Sequence, residues 1–321
     1  MYHGIINVYK EAGYTSHDVV AKLRGICKQK KIGHTGTLDP DAVGVLPVCL
    51  GNGTRLCDML TDRTKEYVAR LRLGLTTDTQ DISGTVLTRK EVKAAPWQVR
   101  EVISSFQGDS MQIPPMYSAL KVNGKKLYEL AREGKEVERK ARPITIYNIE
   151  ILEEAHPEYI IKVACSKGTY IRTLCHDIGQ ALGCGGVMMS LKRTRAGEFT
   201  IEMAHTLEEL QKLADKGELS QVVFPVEKMF ETLPALSVKE EGMKALRNGN
   251  QLTRREVSFL SEEAELQLES GMEEAPDGKQ DGQAFRVYSD EGIFYGIYSY
   301  DDRRRLFCPV KMFLPEEQGK N

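Results

Sequence analysis

Hydrophobic and polar positions along the chain follow two periods, which predict a mixture of strands and helices. Over residues 66–73 apolar side chains occupy every second position, whereas Arg70 and Arg72 lie on the opposite face. This alternation is typical of a half-buried strand. The segments 143–152 and 159–165, rich in Ile, Val and Tyr, predict two further strands.

Apolar residues at helical spacing predict several helices between these strands. They are expected directly after Ser16, over 97–106, 169–182 and 207–216, and over a stretch ending near Gly249. Ser16 is the expected N-cap of the first helix. Capping-box patterns, Thr206 with Glu209 and Ser237 with Glu240, predict the starts of the last two.

The order of these elements lacks the regular strand–helix alternation of a parallel sheet. It predicts an α+β fold with a mixed, largely antiparallel sheet. Three more strands are predicted near the C-terminus, at 284–289, 293–299 and 305–313. We therefore expect two unequal domains, a large one over 1–232 and a small, mostly β module over 233–321. By contrast, residues 33–53 show no clear period and predict an irregular, glycine-rich segment.

The formal charge of −2 over 321 residues is an average of unlike regions. Residues 256–281 hold nine acidic residues and one lysine, and predict a solvated acidic insertion in the C-terminal module. The rest of the chain has a net charge of +6. Residues 111–147 are basic, with eight cationic against four acidic side chains and interleaved tyrosines. Such a segment suits single-stranded or looped RNA, although a solvated helical face is an alternative.

The seven cysteines include no C-x-x-C pair, and no segment resembles a signal peptide or a membrane span. We expect reduced cysteines in a cytoplasmic protein without membrane association. The six histidines do not complete a zinc site, and no nucleotide-binding motif is present. We therefore expect neither a metal nor a cofactor.

Two segments are candidates for chemistry. In residues 33–41, Asp39 lies on a predicted loop among glycines, and Pro40 favours an extended backbone there. A carboxylate in a fixed pose suits nucleophilic or acid–base work, but local hydrogen bonding in a turn is an alternative. Residues 166–172 connect a strand to a helix, where Lys167 and Arg172 could bind an anion or simply begin the helix.

Five separated blocks together resemble the TruB-type tRNA pseudouridine synthases. In order they read GHTGTLDPDAVGVLPVCLG, KEYVARLRLG, TDTQDISG, PPMYSALKVNGKKLYELAREG and CSKGTYIRTLCHDIG. The resemblance covers roughly residues 2–230, and the C-terminal module resembles a PUA domain, an RNA-binding module. It implies an isomerase that converts uridine 55 in the T-loop of tRNA to pseudouridine after flipping the base from the stack.

The resemblance also implies roles for individual residues. Asp39 matches the catalytic aspartate, Arg172 the arginine that pairs with it, and Tyr67 the ring that stacks on the flipped base and assists removal of the C5 proton. An adjacent arginine is expected to keep Asp39 ionised and oriented. His34 matches the residue that wedges into the T-loop, and Tyr170 the wall of the uracil pocket.

Leu191 also matches the wall of the uracil pocket. Residues 111–147 match an RNA-gripping insertion, in which Lys125 and Lys126 are expected to contact phosphates. The expected partner is the T-arm of tRNA, bound by a monomer.

Two alternatives remain open at this stage. Residues 39–43 also fit D-x-D-x-[TV], the signature of Mg²⁺-dependent phosphohydrolases with Asp39 as nucleophile, although that motif should follow an apolar strand. The second alternative is a non-enzymatic RNA chaperone that uses the same basic surfaces and does not need Asp39.

Overall fold

The computed structural model describes residues 1–122, 124–262, 265–266 and 282–314. Within them, thirteen strands precede residue 201, and nine of these form the main sheet. The thirteen strands are β1 (Gly4–Lys10), β2 (Ile32–His34), β3 (Val43–Leu50), β4 (Lys65–Leu73), β5 (Leu75–Thr77), β6 (Val86–Arg89), β7 (Gly108–Gln112), β8 (Lys121–Val122), β9 (Lys125–Lys126), β10 (Arg142–Ala155), β11 (Glu158–Cys165), β12 (Gly186–Ala196) and β13 (Phe199–Thr200).

The main sheet has the order β1-β3-β12-β4-β11-β10-β7, with β2 paired to β3 and β13 to β12. All of these pairs are antiparallel except β3 with β12. The accompanying helices are α1 (Ser16–Ile26), α2 (Cys57–Thr61), α3 (Pro96–Ser105), α4 (Leu127–Arg132), α5 (Ile171–Ala181) and α6 (Leu207–Asp215). α3 and α5 share a core with β4 and β11, while α1 and α6 pack against β1 and β3.

The C-terminal module is a second sheet, of order β15-β19-β18-β17-β14-β16 among the described residues. Its elements are β14 (Ala235–Val238), α7 (Met243–Arg247), β15 (Leu252–Thr253), β16 (Val257–Phe259), β17 (Ala284–Tyr288), β18 (Phe294–Asp301) and β19 (Leu306–Met312). Phe294 and Phe313 pack with Phe230 and belong to the same apolar cluster as Val45 of the main sheet, so this cluster joins the two sheets. The predicted α+β class, with a mixed sheet and a small β module, is confirmed.

Three local predictions are wrong. The N-cap of α1 is Thr15, which forms a capping box with Asp18, whereas the hydroxyl of Ser16 accepts a hydrogen bond from the N–H of Leu38 at 3.0 Å. Ser237 lies in β14, and the helix that follows is only five residues long, because cross-strand pairing there outweighs the local capping pattern.

The third error concerns residues 33–53, which were expected to be irregular. They include β3, a central strand whose neighbours on its two edges are β1 and β12. Nearly every residue of β3 is buried, so its sequence shows a continuous apolar run instead of an alternation.

The basic insertion predicted at 111–147 folds as a hairpin, β8 with β9, followed by α4. It has a small core of its own, formed by Met116, Leu127 and Leu130. The two ends of the predicted range belong to strands β7 and β10 of the main sheet. The insertion is therefore anchored by the sheet on both sides.

The predicted acidic insertion at 256–281 begins too early, because β16 pairs with β14 at 257–259. Most of the remaining range, 263–264 and 267–281, lies outside the described residues. Across the part of the chain that the structure describes, no helix is long and apolar enough to cross a membrane.

Candidate active site

Asp39 lies in the loop between β2 and β3, and a buried lysine holds the backbone after it. The Nζ of Lys10 donates hydrogen bonds to the carbonyl oxygens of Pro40 at 2.9 Å and Ala42 at 2.6 Å. Lys10 is fully buried at the end of β1. Burial lowers its pKa to about 8, and the negative charge of Asp39 opposes this effect. The loop is thus fixed by a cation that the sequence presents as an ordinary strand residue.

Arg172, in the first turn of α5, forms a two-point ion pair with Asp39. Its Nε lies 3.0 Å from Oδ2 and its Nη2 lies 3.2 Å from Oδ1. Nη2 also donates to the carbonyl oxygen of Tyr117 at 2.8 Å. The side chain of Arg172 is only 7% exposed, against 36% for Asp39. The buried guanidinium therefore orients the carboxylate from its protein side, while the carboxylate stays accessible to a substrate.

Asp81 is a member of this site that sequence reasoning missed. Its Oδ2 lies 3.3 Å from Nη1 of Arg172. Its Oδ1 accepts hydrogen bonds from the backbone N–H of Ser83 at 3.0 Å and the hydroxyl of Thr79 at 2.8 Å. The only sequence signal was its place in the block TDTQDISG, whose Asp, Thr and Ser residues are typical of a self-bonded turn.

Desolvation sets the protonation behaviour of Asp39. Burial raises the pKa of its carboxyl group above the ordinary value; the charge of Arg172 opposes the rise and that of Asp81 adds to it. The arginine alone was expected to act on Asp39, but desolvation by burial is the larger effect. A carboxylate with a raised pKa is a better proton acceptor than an ordinary aspartate.

Next to Asp39, aromatic and aliphatic side chains form an apolar wall. Tyr67 of β4 and Leu191 of β12 belong to one buried cluster with Leu38, the neighbour of Asp39. Burial raises the pKa of the Tyr67 hydroxyl, and the charge of Arg193 opposes this rise. A planar ring and two leucines beside an oriented carboxylate suit a flat, uncharged ring such as a base.

Arg193 is a further residue that sequence reasoning missed. It is 1% exposed, and its Nε donates to the carbonyl oxygen of Val45 at 2.7 Å. Its Nη2 has no hydrogen-bond partner among the described residues. Gly44, with a φ of +106°, passes so close that a Cβ there would lie 2.2 Å from the carbonyl oxygen of Arg193. A buried positive charge thus lies under the Asp39 loop.

His34 and Tyr170 are held by different neighbours. The ring of His34 packs edge-to-face on His17 with centroids 5.2 Å apart, and its Nδ1 accepts the N–H of Gly36 at 3.4 Å. Burial lowers the pKa of His34, which favours the uncharged ring. The N–H of Tyr170 donates to Oε1 of Gln112 at 2.8 Å, and this fixes the residue that precedes α5.

Lys125 and Lys126 lie on strand β9 of the insertion, apart from the Asp39–Arg172 pair. Lys125 is 60% exposed and its Nζ lies 3.6 Å from a carboxylate oxygen of Glu133. The Nζ of Lys126 lies 3.2 Å from the hydroxyl of Tyr128. The other six predicted site residues lie on strands of the main sheet, in the loop between β2 and β3 or at the start of α5, whereas these two lie on the hairpin.

The second candidate segment, 166–172, does not offer two free cations. Lys167 pairs with Asp62 at 2.8 Å, and Arg172 pairs with Asp39 and Asp81. The anion bound at the start of helix α5 is therefore the carboxylate of Asp39. The phosphohydrolase alternative also lacks its expected context, because Asp39 precedes strand β3 instead of following an apolar strand.

Two family models match the chain. One, described as the TruB family pseudouridylate synthase (N terminal domain), matches residues 24–171. The other, described as the tRNA pseudouridylate synthase B C-terminal domain, matches residues 172–231. The first match includes Asp39 and Tyr67, and the second begins at Arg172 and includes Leu191.

Relatives and solved structures agree with these models. The tRNA pseudouridine synthase B of Lachnoclostridium phytofermentans is 52% identical, over 97% of this chain and 100% of its own length. That of Alkaliphilus oremlandii is 49% identical, over 98% and 100%. A solved Cbf5-Nop10-Gar1 complex has a chain that is similar with a TM-score of 0.68 and 28% identity, covering 98% of this chain and 85% of that one. Fold and sequence agree, and the chain belongs to the TruB family of pseudouridylate synthases.

Proposed function

We propose that the protein converts uridine 55 in the T-loop of tRNA to pseudouridine, with Asp39 as the catalytic residue. The observation that supports this most strongly is the two-point Asp39–Arg172 pair beside the apolar wall of Tyr67 and Leu191. The family makes the protein an isomerase that acts on tRNA. Asp39 and its neighbours would then carry out each step of the isomerisation at a single site.

The chemistry requires three events at one nucleotide. The bond between N1 and C1′ breaks, the uracil rotates, and C5 bonds to C1′; C5 then loses its proton, and N1 gains one. Asp39 acts at the sugar, either by attack on C1′, with the carboxylate displaced again when C5 bonds to C1′, or by removal of a sugar proton that is returned afterwards. In both routes the bidentate arginine orients the carboxylate before the substrate binds, so little reorganisation remains to be done.

The other predicted residues take positions around the flipped base. Tyr67 stacks on the uracil, and its hydroxyl assists removal of the C5 proton. Tyr170 and Leu191 line the uracil pocket, and His34 fills the space that the base leaves in the T-loop. The uncharged ring that burial favours for His34 suits contact with neighbouring bases.

The insertion and the C-terminal module provide further contacts with tRNA in this proposal. Lys125 and Lys126 lie on an exposed hairpin and bind phosphates of the T-arm. We divide the chain into a catalytic domain over 1–232 and a PUA-like RNA-binding domain over 233–321. We also propose that the protein acts as a monomer in the cytoplasm, where its tRNA substrate is found.

The experiment that tests this function is incubation with an unmodified tRNA transcript, followed by mapping of pseudouridine at single-nucleotide resolution. We expect conversion at position 55 and at no other uridine of the T-arm. A transcript in which uridine 55 is replaced by cytidine is the matched control. Conversion elsewhere with position 55 untouched, or no conversion at all, would contradict the proposal.

A further inference from the structure

A cavity of about 430 Å³ lies at the far end of strand β4, away from Asp39. It is lined by Leu73 and Gly74, by residues 89–90 and by the turn at His156. Six positions separate Leu73 from Tyr67 on the same strand, which at about 3.3 Å per residue corresponds to roughly 20 Å. The cavity is therefore distinct from the site at which the uridine reacts.

The charged groups around this cavity are nearly all positive. Arg72, Arg89 and Lys90 line it together with the imidazole of His156, and no carboxylate does so among the described residues. The only acidic partner of these cations within the described chain is Glu158, which lies 3.7 Å from Arg72. Arg89 and Lys90 have no acidic partner among the described residues, so the lining carries a net positive charge that attracts an anion.

The three cations differ in how far neighbouring groups compensate their charges. Arg89 lies on the exposed strand β6 and forms no ion pair within the described residues. The Nζ of Lys90 donates to the uncharged carbonyl oxygen of Gly183 at 3.3 Å, so its charge is not compensated. The contact of Arg72 with Glu158 is long, and Glu158 also pairs with Arg70 at 3.3 Å, so it compensates the charge of Arg72 only in part. All three side chains can turn to an incoming anion at small cost.

The backbone around the cavity is held by hydrogen bonds. The N–H of Gly74 donates to the carbonyl oxygen of Gly185 at 2.9 Å, and the N–H of Lys90 donates to that of Gly74 at 3.0 Å. Gly74 has a φ of +84°, and a Cβ there would lie 2.7 Å from the carbonyl oxygen of Lys90. Close packing at this glycine fixes the base of the side chain of Lys90 against the end of β4.

We propose that this cavity is a second anion site, which binds phosphate groups roughly 20 Å from the uridine site. Its volume lies in the range of about 300–1,000 Å³ that is usual for small-ligand sites, and exceeds the size of a single phosphate. Arginine forks and a lysine ammonium together match the oxygens of a phosphate or pyrophosphate. The phosphate comes either from the tRNA backbone outside the T-loop or from a small phosphorylated molecule.

The test compares two double variants of the full chain. R89Q/K90Q removes two cations from the cavity, and K22Q/K216Q removes two exposed lysines of α1 and the end of α6 as a charge-matched control. Calorimetric titration with inorganic pyrophosphate should show binding to the wild type and the control, weakened at least tenfold in R89Q/K90Q. Pseudouridine formation at saturating tRNA and the melting temperature should be the same in all three proteins.

Parallel measurement of tRNA affinity identifies the source of the phosphate. If R89Q/K90Q loses affinity for tRNA beyond the loss in K22Q/K216Q, the site binds a backbone phosphate. If it loses only pyrophosphate binding, the site binds a small phosphorylated molecule. If neither pyrophosphate nor tRNA binding distinguishes R89Q/K90Q from the control, the proposal is overturned.

Discussion

The Asp39 site and the basic insertion use charge in opposite ways. At the site, Arg172 is nearly inaccessible and its donors are committed to Asp39, Asp81 and a backbone carbonyl. In the insertion, Lys125 and its partner Glu133 are both exposed. A buried pair is costly to break, whereas an exposed pair contributes about 0–1 kcal/mol and is easily exchanged. The buried pair of the Asp39 site suits chemistry in a fixed geometry. The exposed pair of the insertion suits contacts that form and break each time a tRNA binds and leaves.

The strongest test of this contrast is the substitution of Asp39 by Asn. The Asn variant keeps the size of the side chain but loses the charge, so we expect the single-turnover rate to fall by about 10³-fold or more. The affinity for tRNA should be unchanged. Asp41→Asn is the matched control in the same loop and should retain the rate. Pseudouridine formation at a normal rate in the Asp39 variant would remove this residue from the mechanism.

Arg172→Lys should have the next largest effect. A lysine retains the positive charge but replaces the two-point contact with Asp39 by a single donor, so the carboxylate loses its orientation. We expect a rate loss of about 10²-fold, measured under single-turnover conditions at saturating enzyme. Arg70→Lys changes an exposed pair with Glu158 on the same sheet and should have no effect. Equal losses in both variants would show that the loss does not come from the contact with Asp39.

Tyr67→Phe separates the ring from the hydroxyl. The ring remains available for stacking, so we expect the affinity for tRNA to survive. If the hydroxyl assists removal of the C5 proton, the rate should fall by up to about 10²-fold. Tyr159→Phe removes another buried hydroxyl, on the neighbouring strand β11, and should leave the rate unchanged. A wild-type rate for Tyr67→Phe would limit Tyr67 to stacking.

Replacement of both Lys125 and Lys126 by Ala should change binding and leave the chemistry intact. Two lost phosphate contacts should weaken tRNA binding by roughly tenfold and reduce the slope of log affinity against log salt by about two. The substitution K22A/K216A, at two exposed lysines outside the hairpin, is the control. A slope equal to that of the wild type would remove the pair from the interface.

Asp81→Asn should have a small effect on the maximal rate and a clear effect on the pH dependence of kcat/KM. The charge of Asp81 contributes to the raised pKa of Asp39, so its removal should lower that pKa. Because the ionised Asp39 is the active form, the acid limb of kcat/KM should move to lower pH. Asp78→Asn, in the same turn, is the control. A shift of the limb to higher pH would contradict the assigned electrostatics.

Local patterns predicted much of the fold because they depend on neighbouring residues. The alternation over 66–73 and the helical spacing before residue 182 correspond to β4 and α5. Strand β3 was missed, since burial on both faces removes the alternation on which such predictions rest. Capping patterns succeeded at Thr206 but failed at Ser237, where pairing between strands decides the structure.

The residues of the site could be predicted only where the family resemblance assigned them a role. Asp39 and Arg172 are separated by 133 positions, and the residues themselves give no sign that they are in contact. Lys10 and Arg193 occur at positions of their strands that look polar and solvated, yet both are almost completely buried. Their partners are backbone carbonyl oxygens, which exist at every position and leave no pattern in a sequence.

One pair of measurements most directly tests whether Asp39 serves the chemical step while Lys125 and Lys126 serve tRNA binding. The single-turnover rate of pseudouridine formation at position 55 and the dissociation constant for the same tRNA are measured for Asp39→Asn and for K125A/K126A. The account predicts that the first variant loses the rate and keeps the affinity, while the second loses affinity and keeps the rate at saturating enzyme. A reduced saturated rate in K125A/K126A, or a retained rate in Asp39→Asn, would contradict it.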